Sequence, residues 1–291
     1  MTFNDDSNIG GGRVSRRGRN VAIGAGGGGL VVIGLLLVSQ LVGIDLTGLA
    51  PLISGESGTG STEETPLTEC QTGQDANENI DCRMAGAAAA LDAYWETQVD
   101  GYRQPELVLF SGGVQTGCGS ATSAVGPFYC PPDETVYIDT AFYDDLRTEF
   151  GASGGPLAQL YVVAHEWGHH IQNITGIMQG LDLQDTGPTS DGVRLELQAD
   201  CFAGAWVAAA STTTDDAGEP YLVKPTDAEI ADALNAAAAV GDDHIQETMG
   251  GGNVNPETWT HGSSESRQKW FNTGYTQGVN SCDTFAANAN L

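Results

Sequence analysis

The stretch Val162-Val163-Ala164-His165-Glu166-Trp167-Gly168-His169-His170 constrains this chain more than any other. Three of the five histidines lie within six consecutive residues of it. On an α-helix, residues four apart stack on one face, so His165 and His169 are set to point side by side at one metal ion. Glu166, one residue on, sits about 100° further round the helix. From there its carboxylate reaches a water at the metal without binding the metal itself. The bland alternative is an amphipathic helix with two satisfied histidines, and the surrounding sequence has to decide.

That sequence supports a helix on its own account. Ser153-Gly154-Gly155-Pro156 is a start signal, with proline in the first turn where its missing N–H costs nothing. Leu157, Leu160, Ala164, Gly168 and Ile171 form an apolar stripe, and Gly176 and Gly180 supply the stop. Glycine inside a helix is disfavoured by about 1 kcal/mol, so Gly168 predicts close packing by a neighbour. A second helix is expected over Val193–Trp206. It carries Glu196 and Asp200 four apart, among Leu195, Leu197, Ala199, Phe202 and Trp206. Buried carboxylates need a partner or a metal.

A catalytic zinc site takes three protein ligands and leaves one position open. His165 and His169 supply two nitrogens, and Glu196 supplies the third ligand from the facing helix, for one Zn2+ per chain. Asp200 is placed to accept the other ring N–H of a ligating histidine. The reverse assignment, Asp200 as ligand with Glu196 behind it, stays open. A zinc held this way lowers the pKa of its water to about 7. Glu166 then takes a proton during attack on a carbonyl and passes it to the leaving amine.

The amino terminus says where this chemistry occurs. Arg13, Arg16, Arg17 and Arg19 precede Val21–Ile44, a run of 24 positions with no ionisable residue. At 1.5 Å per residue the run reaches about 36 Å, enough to cross a hydrocarbon layer of ~30 Å. Its first third is glycine-rich, so the firm core is Leu30–Ile44. The arginines predict a cytoplasmic N-terminus and an exported remainder on a single transmembrane helix. A cleaved signal peptide is the rival, but Leu49-Ala50-Pro51 offers no good small-x-small cleavage site. The expected organisation is a cytoplasmic segment over 1–20, an anchor over 21–44, a flexible linker over 45–68 and the metal-bearing domain over 69–291. The linker is rich in Ser, Thr, Gly and Glu and cannot bury enough apolar surface to offset its ordering entropy.

All six cysteines follow the anchor, an even number that suits disulfides in an oxidising compartment. Locality favours Cys70–Cys82 and Cys118–Cys130, which leaves Cys201–Cys282 to tie the tail to the second helix. The net charge of −27 excludes nucleic acid as a partner, because binding phosphate needs basic surface. Thirty-five of the 38 acidic residues and seven of the 11 basic ones follow position 50, which also disfavours anionic wall polymers.

Elsewhere, helices are expected over 84–99, 142–150 and 226–240, and from His261 through Tyr275. Thr226-Asp227-Ala228-Glu229 is a capping box. Strands are expected over 107–110 and 135–139, with loop over 111–127. His170 lies off the metal face and reads as structural. His244 sits in an acidic loop and reads as solvated, and Tyr161 as core. His261 and Arg267 are candidates for stabilising an oxyanion, with helix entry an equal reading of His261.

These residues carry a resemblance. HEWGHH followed by RLELQADCFAGAW, with GCGSATSAVGPFYCPPDETVYID before and THGSSESRQKWF after, resembles the neutral zinc metallopeptidases of bacteria over residues 82 to 282. The Glu-x-x-x-Asp helix resembles the thermolysin-like gluzincins, in which the glutamate binds zinc and the aspartate orients a histidine. The likeness implies Glu196 as ligand and Asp200 behind it. It implies an α+β fold, a mainly helical zincin-like domain with a small β-sheet. It also implies that the Val136–Asp139 strand lines the cleft, where a peptide substrate adds as an extra strand. The function expected is a membrane-anchored peptidase acting outside the cytoplasm on protein or peptide. A non-catalytic envelope protein with structural zinc, and an amidase acting on cell-wall peptide, are the competing readings.

Overall fold

Capping decides where the helices begin. The computed structural model describes residues 2–10, 14–17, 64–248 and 250–291. Thr72 and Thr226 each close a capping box, with Asp75 and with Glu229, and open α1 (Gly73–Glu78) and α6 (Asp227–Ala239). Asn79 caps α2 (Ile80–Gln98), Ser190 caps α5 (Asp191–Ala209), and Ser263 caps α8 (Ser264–Gln277). Pro156 occupies the first turn of α4 (Pro156–Ile174), with Gly155 as its N-cap. Two short helices, α3 (Phe142–Thr148) and α7 (Asp242–Thr248), complete the set among the described residues.

A five-stranded sheet runs in the order β2-β1-β3-β7-β6. Its strands are β1 (Val14–Arg17), β2 (Glu64–Pro66), β3 (Glu106–Phe110), β6 (Phe128–Cys130) and β7 (Thr135–Asp139). The inner three, β1, β3 and β7, are parallel, and the edges β2 and β6 are antiparallel. Parallel strands are usually covered on both faces, and these are. Val14, Leu107, Leu109, Val136 and Ile138 face the main core with the helices. The alternate residues Val108, Phe110 and Tyr137 pack under the hairpin of β4 (Gly113–Thr116) and β5 (Gly119–Thr122). The sequence reading has loop where this hairpin lies.

The helical layer is built on close contacts at glycine. A Cβ on Gly168 of α4 would come within 2.9 Å of Ala199 Cα on α5. The tight packing expected at Gly168 is therefore present. A Cβ on Gly204 of α5 would meet Phe271 O at 2.0 Å, and one on Gly274 of α8 would meet Cys201 O at 1.8 Å. Trp95, Trp167, Trp206, Tyr161 and Phe271 fill the core around these crossings.

Three disulfides join Cys70 to Cys82, Cys118 to Cys130 and Cys201 to Cys282, the expected pairing. The expected anchor over 21–44 lies outside the described residues. Among the described residues no helix is long and apolar enough to cross a membrane.

The amino-terminal segment differs from expectation. It is not a separate body. The Phe3 ring lies against Gly86 of α2, and Phe3 bridges to Leu222. Phe3, Ile9 and Val14 are buried in the main core, and β1 lies between β2 and β3. β1 reads Val-Ser-Arg-Arg, and with one apolar residue it shows no alternation that would mark a strand in the sequence.

Candidate metal centre

The site sits where α4 and α5 cross. The close approach at Gly168 and Ala199 brings the His165–His169 face of α4 against the Glu196–Asp200 face of α5. His165, His169 and Glu196 each offer one ligand atom, and the three lie within 4.8 Å of one another. Glu196 Oε2 is 3.1 Å from His165 Nε2, and Oε1 is 3.4 Å from His169 Nε2.

The far ring nitrogens are held from behind. His165 Nδ1 is 2.9 Å from Asp200 Oδ1, and His169 Nδ1 is 2.9 Å from Gln172 Oε1. Both partners are acceptors, so both Nδ1 atoms carry a proton, and Nε2, the atom that faces Glu196 in each ring, is left as the one to bind a metal. This is the tautomer a metal-binding histidine needs. Two imidazoles and one carboxylate suit a borderline divalent ion such as zinc. The donor set fits.

Asp200 is fully buried and heavily bonded. It accepts from Tyr161 OH at 2.5 Å, from Arg267 Nε at 2.8 Å and from an Arg267 terminal nitrogen at 3.0 Å. Burial works against its charge, but Arg267 and His165 outweigh burial and hold its carboxyl below the usual range. Burial likewise opposes charge on Glu196, yet the two histidines keep it well below the ordinary value. Burial pushes His165 down, and Asp200 and Glu196 reverse this, raising it to about 10 with no metal present. Glu166 goes the other way. Only 7% exposed, it is raised by burial against the pull of both histidines.

The other candidates take definite places. His170 is buried, with Nε2 at 2.6 Å from the Arg103 carbonyl and Nδ1 at 3.0 Å from Tyr129 OH, so both its nitrogens are used away from the metal. Arg267 is spent on Asp200, Tyr161 and the Val240 carbonyl rather than facing a cleft. His244 is not simply solvated, since its Nε2 meets the Phe150 carbonyl at 3.1 Å. His261 is held by Asp242, whose Oδ2 accepts the backbone N–H of Thr260, His261 and Gly262 and whose Oδ1 lies 3.3 Å from His261 Nδ1. It is partly exposed; burial lowers its pKa, but the hydrogen bond to Asp242 and then the charge of Glu196 outweigh burial and raise it.

The Val136–Asp139 strand does not present a free edge along its length. Over Thr135–Tyr137 it is bonded by β3 on one side and β6 on the other, so a peptide has only Ile138 and Asp139 beyond β6 to pair with. A cavity of about 710 Å³ opens at the carboxyl ends of β1, β3 and β7. None of its lining residues belongs to the metal cluster. Sequence reasoning missed Gln172, Gln198 and Asp242. No local signal marks them: Gln172 follows His169 by three residues, but in a segment that also carries His170, Asn173 and Thr175.

Two converging helices present a histidine pair and a glutamate, each histidine backed by an acceptor, as a group of three ligand atoms that could hold a divalent metal. Residues 3–285 match the family described as "Putative neutral zinc metallopeptidase", and the chain belongs to it. The match starts at residue 3, inside the amino-terminal segment that the fold joins to the metal-bearing body. The uncharacterized protein Rv2575 of Mycobacterium tuberculosis is 53% identical over 223 residues, 76% of each chain. The uncharacterized protein YpfJ of Escherichia coli K12 is 37% identical over 284 residues, covering 93% of this chain and 91% of the relative. No solved structure matches the chain.

Proposed function

We propose that this chain is a zinc-dependent peptidase acting outside the cytoplasm, with Glu166 as its proton carrier. The observation that carries the reading is a buried carboxylate one residue from the first of two histidines that converge with Glu196. A site that only tied two helices together has no use for Glu166 and would close its fourth position with another ligand. His165, His169 and Glu196 would hold the ion, which when bound supplies a Lewis acid that polarises a carbonyl and acidifies water.

The remaining work falls to side chains. Glu166, with its pKa raised by burial, takes a proton from the attacking water and returns it to the leaving nitrogen. Asp200 and Gln172 keep the two histidines in the binding tautomer. His261, oriented by Asp242, is the side chain best placed to donate to a developing oxyanion. Three disulfides support an oxidising compartment. The apolar run over 21–44 is proposed as the point of contact with the membrane.

Zinc content and hydrolysis of an unfolded protein substrate, compared for the parent and Glu166→Gln, test the reading. Both should bind one zinc, and the variant should lose about 10²–10⁴-fold in rate. Equal rates with equal zinc would leave a structural metal site. Hydrolysis of muropeptides with no action on unfolded protein would move the substrate from protein to cell-wall peptide.

A further inference from the structure

His169 has no carboxylate behind it, unlike His165. Its Nδ1 lies 2.9 Å from Gln172 Oε1. The Gln172 amide is oriented by its other end: Nε2 donates to the Leu195 carbonyl at 2.8 Å, which can only accept. The same Nε2 donates to Gln198 Oε1 at 3.1 Å, and Gln198 Nε2 in turn donates to the Cys282 carbonyl at 2.8 Å. Gln172 is 0% exposed and Gln198 5%. The bonds therefore run in one direction, from the ring of His169 on α4, across two amides, to the backbone of the tail at the Cys201–Cys282 disulfide. Every group in the line has its partner, and a fully satisfied buried network is rigid.

We propose that Gln172, braced by Gln198 and the Cys282 carbonyl, is the positioning residue of His169: it holds the Nδ1–H tautomer and thereby sets how tightly the site takes its metal. The inference rests on reading His165, His169 and Glu196 as a metal centre. Loss of the acceptor at Gln172 leaves a buried ring N–H unpaired and frees the imidazole to turn or to move its proton to Nε2, the atom that faces Glu196. Loss of Gln198 acts only through Gln172, by releasing one of its two donor bonds. The two substitutions are therefore coupled rather than additive.

Zinc affinity of the purified full chain, by competition with a chromophoric chelator, and the visible spectrum of the cobalt(II)-loaded protein provide two readouts independent of activity. Gln172→Met, close in shape but without an amide, should weaken zinc by about 10–100-fold and alter the cobalt bands. Gln198→Met should move both readouts the same way by less, and the double variant should be no weaker than Gln172→Met alone. Gln172→Glu keeps an acceptor for the ring but loses both donor bonds, to the Leu195 carbonyl and to Gln198 Oε1, so it should bind zinc more tightly than Gln172→Met and less tightly than the parent. Gln246→Met, at a buried glutamine bonded to Thr258 and Asn255 instead, should lower the melting temperature while leaving affinity and spectrum unmoved. Parent-like affinity and bands in Gln172→Met would overturn the inference and leave the metal centre standing. A parent chain that takes neither zinc nor cobalt would remove the metal centre itself. Should Gln172→Met not fold, the decision passes to Gln198→Met, where weaker zinc binding and altered cobalt bands are required and parent-like values would overturn the inference.

Discussion

Asp200 is asked to do two jobs that pull on different measurements. Its Oδ1 orients His165, and both of its oxygens neutralise Arg267, which is itself only 3% exposed. Asp200→Asn should weaken zinc by about 10–100-fold. It should also cost on the order of 3–5 kcal/mol of stability, because buried Arg267 is left with only Glu196, 4.0 Å away, as counter-charge. Pairing Asp200→Leu with Arg267→Met separates the two roles: thermal stability should recover while zinc affinity does not. Asp242 carries a different prediction. Burial raises its pKa, but His261 and three backbone N–H groups outweigh burial and leave it below its ordinary value. A carboxyl depressed in the folded state contributes stability that is complete above the unfolded value of about 3.9 and is lost as pH falls through the folded one. Melts of the parent and Asp242→Asn should differ at pH 7 and converge below about pH 4. Helical spacing set His165 beside His169 and Glu196 beside Asp200 in the sequence, and the resemblance to gluzincins assigned Glu196 as the ligand and Asp200 behind it. Gln172 and Asp242 could not be read in this way, because an amide or an aspartate is ordinary on a surface and acquires meaning only when a distant backbone closes over it.

The two helix crossings differ in what holds them. At α4 and α5 a glycine meets an alanine, whereas α5 and α8 interlock through Gly204 and Gly274, each pressed against the other helix's backbone. Backbone cannot step aside as a side chain can, so Gly274→Ala should cost at least about 1–3 kcal/mol. That is a fall of several degrees in melting temperature for a domain of this size, roughly 2–4 °C per kcal/mol. Gly113→Ala, where a Cβ would lie 3.6 Å from the Ala121 carbonyl, should change stability by no more than about 0.5 kcal/mol. Helices were the legible part of this fold, since their caps and stripes are local. The sheet was legible only where apolar runs are covered on both faces, as in Leu107–Phe110. The β4–β5 hairpin escaped because its residues are small and polar, and β1 because an arginine-rich strand gives no apolar alternation.

At the scale of the whole molecule the three disulfides close loops of very different length. Two span 12 residues and the third spans 81. By chain entropy alone the long loop is worth about 4.5 kcal/mol and each short one about 2.8. Calorimetry should therefore find Cys201→Ser/Cys282→Ser less stable than Cys118→Ser/Cys130→Ser. The insertion of β1 between β2 and β3 reaches further than stability. Ser15, Arg16 and Arg17 pair with Pro66, Thr65 and Glu64, and Arg17 is ion-paired to Glu64 at 2.6 Å. A chain that passed once through a bilayer between those residues would deliver its two flanks to different compartments, where no strand pairing can join them. In the assembled fold the amino terminus and the metal centre share one compartment. An Asp6→Cys substitution on the exposed amino-terminal turn should accordingly react in intact cells with an impermeant maleimide whenever the metal-bearing body does. Protection of that thiol until lysis, with the metal-bearing body labelled, would mean that β1 is not paired in its sheet in the cell. The strand is thus a topological reporter: once β1 is paired, the first residues of the chain must lie on the same side of any membrane as Glu64–Pro66.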